Sequence, residues 1–245
     1  MPLPKIEVPK YELTMPSSGE PVKYRPFLVK EEKILLLAME SEDEGEMIDA
    51  IQNIIKNCLY NEVDVAAMPM FDMEFIFLQL RAKSKGEEID LNFECEKCKN
   101  SIPLKINLND VKVQRQENHT NKINLTDDVG VMLKYPSISL QKIIASSDIS
   151  EVETVFKTII SCVDSIWDKE TVYSSKDHTP EELTDFIESL PDNSFTKLQQ
   201  FFDTLPVLKH DVKIKCNARV GKGKQKTSCG WSETKTLEGM GSFFV

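Results

Sequence analysis

The sequence predicts an α+β fold in which helical clusters are separated and followed by β-hairpins. Three observations predict it. Several stretches repeat apolar residues at i, i+3 and i+4. Shorter stretches alternate apolar and polar residues around turn-forming residues. No strand–helix–strand alternation, the mark of a doubly wound sheet, runs through the chain. The 245 residues suffice for one large domain or two small ones. A content of 40% apolar and 29% charged residues is that of a globular protein and excludes disordered, collagenous and low-complexity classes.

The elements follow in order. Tyr11–Met15 and Val22–Phe27 flank the turn cluster Pro16-Ser17-Ser18-Gly19 and read as a hairpin, with Pro26 placing its strand at an edge. A helix covers about Lys30–Glu40. Ser41 and Glu44 then form a capping-box pattern ahead of a second helix, which carries the buried stripe Met47, Ile48, Ile51, Ile54, Ile55, Cys58 and Leu59. A third helix, Phe71–Lys83, is apolar nearly all round and should lie at the centre of the N-terminal part. Met68, Met70 and Met73 cluster at its start, as core filling or as a Met-rich partner groove.

Glu88–Leu108 alternates like two strands around Cys95-Glu96-Lys97-Cys98, and Asn121–Pro136 is extended again. Helices resume at Leu140–Ala145 and Glu151–Val163, with Cys162 read, like Cys58, as a core thiol. Ser165–Tyr173 is a tight hairpin turning at Asp168-Lys169. Thr179-Pro180-Glu181-Glu182 starts a helix by cap, proline and capping-box glutamate; Pro191 ends it, and another helix runs over Ser194–Thr204. Val207–Cys216 and Trp231–Leu237 return to strand. Four segments result: residues 1–87, hairpin plus helices; 88–120, a first cysteine hairpin; 121–206, mixed strand and helix; 207–245, a second cysteine hairpin and an aromatic tail.

The remaining four cysteines carry the chemistry. Cys95-x-x-Cys98 lies between two alternating strands, and Cys216 and Cys229 occupy the same kind of position. The flanks agree: Leu91–Cys95 matches Val212–Cys216, and Cys98–Ser101 resembles Cys229–Ser232. The expectation is two zinc-knuckle hairpins, the second with a long insertion, closing a zinc-ribbon-like site on a structural Zn²⁺ held by Cys95, Cys98, Cys216 and Cys229. Three cysteines plus His210 is the second ligand set; no metal, with a redox dithiol or unrelated thiols, is the third. A redox dithiol lacks its usual βαβ context. A four-thiolate site has no open position, so the metal would be structural rather than catalytic.

Charge divides unevenly. The chain has 30 Lys and Arg against 40 Asp and Glu, a net charge of −10, yet residues 209–229 hold seven basic side chains and one acid, leaving −16 elsewhere. That acidic balance argues against general nucleic-acid binding. The basic loop 219–226, with Arg219, Lys222, Lys224 and Lys226, is a candidate contact for an acidic protein surface, and Phe243 and Phe244 either form an apolar contact for a partner or pack on their own domain. The alternative is a zinc-ribbon regulator that binds nucleic acid through the same loop, against which stands its lack of an aromatic residue for base stacking. No membrane-spanning run and no signal-peptide pattern is present, so a reducing cytoplasmic compartment is expected. The three histidines, His119, His178 and His210, each lack a helical i, i+4 partner and any HExxH arrangement, and no phosphate loop or nucleophile elbow occurs. The chain is read as a non-enzyme with no small-molecule substrate.

Several segments together resemble the T4-type bacteriophage base-plate protein family. They are Tyr11–Gly19, Tyr24–Lys33, Asp64-Val65 through Pro69-Met70-Phe71-Asp72 with Phe75, Leu80–Ser84, the CxxC hairpin, and the ending Leu237–Phe244. The family includes hub and hub-assembly proteins of contractile-tailed phages. The resemblance covers nearly the whole chain and implies a role in building the tail base plate, with other base-plate or hub proteins as partners. It implies residence in the host cytoplasm during assembly and then in the virion, or action as an assembly factor only. The stretched Cys216…Cys229 pair departs from a compact second CxxC.

Overall fold

A computed structural model describes residues 6–41, 43–221 and 227–243. In chain order the elements are β1 (Tyr11–Thr14), β2 (Pro21–Tyr24), α1 (Val29–Ser41), α2 (Glu44–Cys58), α3 (Met70–Lys85), β3 (Glu88–Glu94), β4 (Ser101–Asn107), β5 (Lys112–Gln114), β6 (Lys122–Asn124), β7 (Gly130–Leu133), α4 (Ile138–Ala145), α5 (Glu151–Cys162), β8 (Val163–Trp167), β9 (Val172–Ser174), α6 (Pro180–Glu188), α7 (Asp192–Asp203), β10 (Val207–Lys215), β11 (Arg219–Val220), β12 (Thr227–Ser228) and β13 (Ser232–Glu238). The fold is α+β, and it gathers into two compact units. One comprises Met1–Val65, Phe71–Gln114 and Val207–Val245; the other comprises Ala66–Met70 and Arg115–Pro206.

In the first unit, β1 and β2 pair antiparallel from Tyr11 opposite Tyr24 to Thr14 opposite Pro21. Their turn is fixed by a buried carboxylate: Asp72 accepts hydrogen bonds from the Ser17 backbone N–H, at 3.0 Å, and from its hydroxyl. On α2, Ile51, Ile54, Ile55 and Cys58 are buried, as the helical spacing predicts. α3 buries Phe71, Met73, Ile76, Phe77, Leu78, Leu80 and Ala82, too many directions for one face, which makes it a central helix. Met68 and Met73 are buried and Met70 half-buried, so they fill core rather than line a groove. The expected capping box at Ser41 does not form. Ser41 still belongs to α1, its hydroxyl donating to the Ala38 carbonyl, and Asp43 caps α2 by accepting from the Glu46 N–H at 2.9 Å. A cap residue must sit next to the first helical residue, and Asp43 is the one that does.

The same unit holds the β3–β4 hairpin, in register from Glu88 opposite Asn107 to Glu94 opposite Ser101, and a sheet of order β13-β10-β5. β10 pairs with β13 from Lys209 opposite Glu238 to Lys215 opposite Ser232. One core cluster joins Leu78 and Ala82 of α3 to Ile89, Leu91, Ile102 and Ile106 of the first hairpin and to Leu208, Val212, Ile214 and Leu237 of the second. Phe243, fully buried, completes that cluster. Glu74 accepts from the Met240 N–H at 3.1 Å and holds the tail turn in place.

The second unit has the sheet β6-β7-β8-β9, all antiparallel, with α4 to α7. Gly130 is required there: a Cβ on it would lie 2.0 Å from a ring carbon of Trp167. Capping boxes start α5, at Ser150 and Glu153, and α6, at Thr179 and Glu182. Its core contains Ile123, Val131, Leu133, Ile159, Leu198 and Phe201. His119, in the loop between β5 and β6, stacks on Tyr135 and Phe201, and its ring nitrogens meet Thr204 Oγ1 at 2.9 Å and Tyr135 Oη at 3.2 Å.

Candidate metal centre

Both cysteine hairpins end at the same step of their ladders. The last pair of β3–β4 is Glu94 with Ser101, and Cys95 follows; the last pair of β10–β13 is Lys215 with Ser232, and Cys216 follows. Beyond it the backbones match. The Cys95 N–H donates to the Asn100 carbonyl at 2.9 Å, and the Cys216 N–H donates to the Trp231 carbonyl at 2.8 Å. After the second cysteine of each pair the chain turns left-handed, at Lys99 with φ of 60° and at Gly230 with φ of 64°. In the second hairpin the Cys229 N–H donates to the Ala218 carbonyl at 2.8 Å, so the chain leaves and rejoins the knuckle at one point. Between those points β11 and β12 pair as a short ribbon. The twelve-residue spacing is thus a two-residue spacer, Asn217-Ala218, followed by an inserted ribbon.

The geometry brings the four cysteines together. Their sulfurs all lie within 4.8 Å of one another, Cys95 Sγ to Cys229 Sγ being 3.7 Å and Cys98 Sγ to Cys216 Sγ 3.6 Å. An ion bonded to four thiolates at ~2.3 Å in a tetrahedron sets the sulfurs about 3.8 Å apart, so the donor set and spacing fit Zn²⁺ or another soft divalent ion. Cys95, Cys216 and Cys229 are buried and Cys98 is half-buried. His210 is not among them. It sits mid-strand opposite Leu237, six residues before Cys216, which is roughly 20 Å along an extended chain.

The electrostatics suit a cation. Burial pushes the Cys95 thiol up, but the N–H groups of Cys98 and Lys97 and the thiols of Cys98 and Cys216 bring it down to about 7. Cys98 gains from the Asn100 N–H, yet burial and its cysteine neighbours push it up to about 12, and Cys216 is also raised. Without a metal, Cys98 and Cys216 are therefore held toward the neutral thiol. A divalent ion is the charge that would let all four ionise together. By contrast Cys58 and Cys162, each buried away from this cluster, are pushed up by burial to about 11 and about 12 and behave as core thiols. Lys97 Nζ donates to the Cys229 carbonyl at 3.0 Å and ties one knuckle to the other, a contact that sequence spacing gave no means to find.

The candidate contact residues divide. Arg219 is exposed at the base of the ribbon, whereas Lys222, Lys224, Lys226 and Phe244 lie outside the described residues. Phe243 follows the second reading: it is buried in the core of the first unit rather than displayed as a surface contact. Among the described residues no helix is long and apolar enough to cross a membrane. Comparison with curated proteins and with solved structures gave no match. The model of a family described as T4 bacteriophage base plate protein matches residues 8–245, nearly the whole chain, and the chain belongs to that family.

Proposed function

We propose that the chain is a non-enzymatic structural or assembly protein of the hub region of a contractile-tailed phage base plate, stapled by a structural Zn²⁺ and acting through protein–protein contacts. Membership of a base-plate family carries a place in the virion tail and contact with other phage structural proteins. The observation that carries the finer reading is the four-sulfur cluster at the tips of two matched hairpins. In it Cys95, Cys98, Cys216 and Cys229 would hold the ion, which would link β3–β4 to β10–β13 with no coordination position left for a substrate. Structural zinc contributes about 10–16 kcal/mol in peptides, enough to decide whether two such hairpins stay joined. The basic segment around Arg219 supports an acidic protein surface as the partner.

Four measurements test this reading. Elemental analysis of purified protein should give about one zinc per chain, lost in a Cys95→Ser/Cys98→Ser variant. Mass spectrometry of intact purified particles should find the polypeptide if it is a resident. Absence from particles, with capture of hub proteins from infected cells, would make it an assembly factor. Absence from both would remove the base-plate hub reading, and steeply salt-dependent DNA binding would favour the nucleic-acid alternative.

A further inference from the structure

A second site lies in the unit without the four cysteines. The β8–β9 hairpin and α6 enclose a cleft of about 320 Å³. Its floor is Val129, Ile166, Leu183 and Phe186, and the Trp167 ring forms one wall. That ring is held in place from two sides, packed on Gly130 and with Lys122 Nζ 5.2 Å from its centroid. The cleft wall is therefore built in advance of any ligand. A volume near the low end of ligand pockets, roughly 300–1,000 Å³, suits one or two apolar side chains rather than a cofactor.

One edge of the cleft is polar and continuous. Tyr173 Oη donates to Asp168 Oδ2 at 3.0 Å, the Tyr173 and His178 rings meet edge-on at 6.1 Å, and His178 Nδ1 lies 3.4 Å from Glu182 Oε2. Asp168 also accepts from the N–H groups of Glu170 and Thr171, and Glu182 from the N–H of Thr179. These backbone hydrogen bonds are the leading cause that holds both carboxyls below their usual range, so the edge is negative at neutral pH. The stretch that builds the mouth, residues 168–185, has six acids and two lysines. One of the lysines, Lys169, is paired with Asp128 at 2.7 Å. An apolar floor under a negative edge excludes acidic segments and rewards a side chain that is apolar at its base and followed by a cation.

We propose that this cleft is a docking site for a segment of a partner protein that presents apolar side chains flanked by lysine or arginine. It lies apart in sequence from the metal ligands and the basic ribbon, so it stands or falls separately from them. The anchor would enter over Phe186 and Leu183, while its neighbouring cation meets Asp168 and Glu182.

The test uses the full chain and three synthetic capped peptides as probes: Lys-Leu-Leu-Lys-Phe-Lys, its acidic counterpart Glu-Leu-Leu-Glu-Phe-Glu, and the charge-matched Lys-Ser-Ser-Lys-Ser-Lys. Trp231→Phe leaves Trp167 as the only indole, and its fluorescence should change saturably with the first peptide alone. Calorimetry on the unsubstituted chain repeats the measurement without that substitution. Tyr173→Lys, at the 39% exposed rim, and Phe186→Ser, on the floor, should each weaken binding about tenfold or more. Equal binding of the serine peptide would show charge attraction only and overturn the proposal. So would binding unaffected by both substitutions, or no saturable binding of the first peptide at millimolar concentration.

Discussion

Lys99 and Gly230 occupy the same step of the two knuckles, and only one of them suits it. Both turn left-handed, where a side chain with a Cβ costs about 1 kcal/mol or more and glycine costs nothing sterically. Lys99→Gly should therefore stabilise the protein by about 0.5–1 kcal/mol, the steric relief being partly offset by the freer unfolded chain. Gly230→Ala should destabilise it by ~1–2 kcal/mol. Denaturant midpoints of metal-loaded protein measure both, and a destabilising Lys99→Gly would contradict the equivalence of the knuckles. At this scale the sequence was legible where chemistry is scarce. A CxxC between alternating strands has few other readings, and Gly230 directly after Cys229 marks the left-handed turn that Lys99 conceals. Buried carboxylates were not legible. Glu31 and Asp72 stand in helix first turns, where acids usually face solvent and the helix dipole. Their burial depends on partners that folding supplies: Glu31 accepts from Arg25 Nη2 at 2.9 Å and from the Leu28 N–H, and Asp72 accepts from Ser17, 55 positions away.

Among elements, those whose signal is local were legible. The amphipathic spacing of α2 and α5 and the Thr179-Pro180-x-Glu182 start of α6 are written within one or two turns of chain, and each formed. β5 left no comparable trace because three residues carry too little pattern; it exists through pairing with Val207–Lys209. The ribbon between Ala218 and Cys229 was legible only as an interruption. Its geometry says more: an insertion that leaves and rejoins at one hydrogen bond, the Cys229 N–H to the Ala218 carbonyl, is not needed to aim the sulfurs. Deleting residues 219–228, which leaves Cys216-Asn217-Ala218-Cys229 as a compact CxxC, should keep about one metal per chain and change stability by under ~1 kcal/mol, since loop length itself costs little. Capture of the proposed base-plate partners should fall if the basic segment is the contact. Loss of the metal in the deletion variant would show that the ribbon builds the site instead.

For the whole molecule, the order of the chain matters more than its length. The first unit is assembled from segments on both sides of the second, so the proposed ligands Cys98 and Cys216 are separated by residues 115–206 although their sulfurs are 3.6 Å apart. An ion at that point would close a loop of more than a hundred residues, the kind of cross-link whose loss releases the most chain entropy. All four proposed ligands belong to one unit, so removal of a bound metal should act unequally, and the two tryptophans report on the units separately: Trp231 in the first, Trp167 in the second. In a Trp167→Phe variant, chelation should move the denaturant midpoint of Trp231 fluorescence sharply down or abolish the transition. In a Trp231→Phe variant, the Trp167 transition should shift little. An unchanged Trp231 transition after verified metal removal would show that the hairpins hold without the ion. Equal shifts at both tryptophans would show that the units unfold as one, and that the ion supports the whole chain rather than the discontinuous unit that holds it.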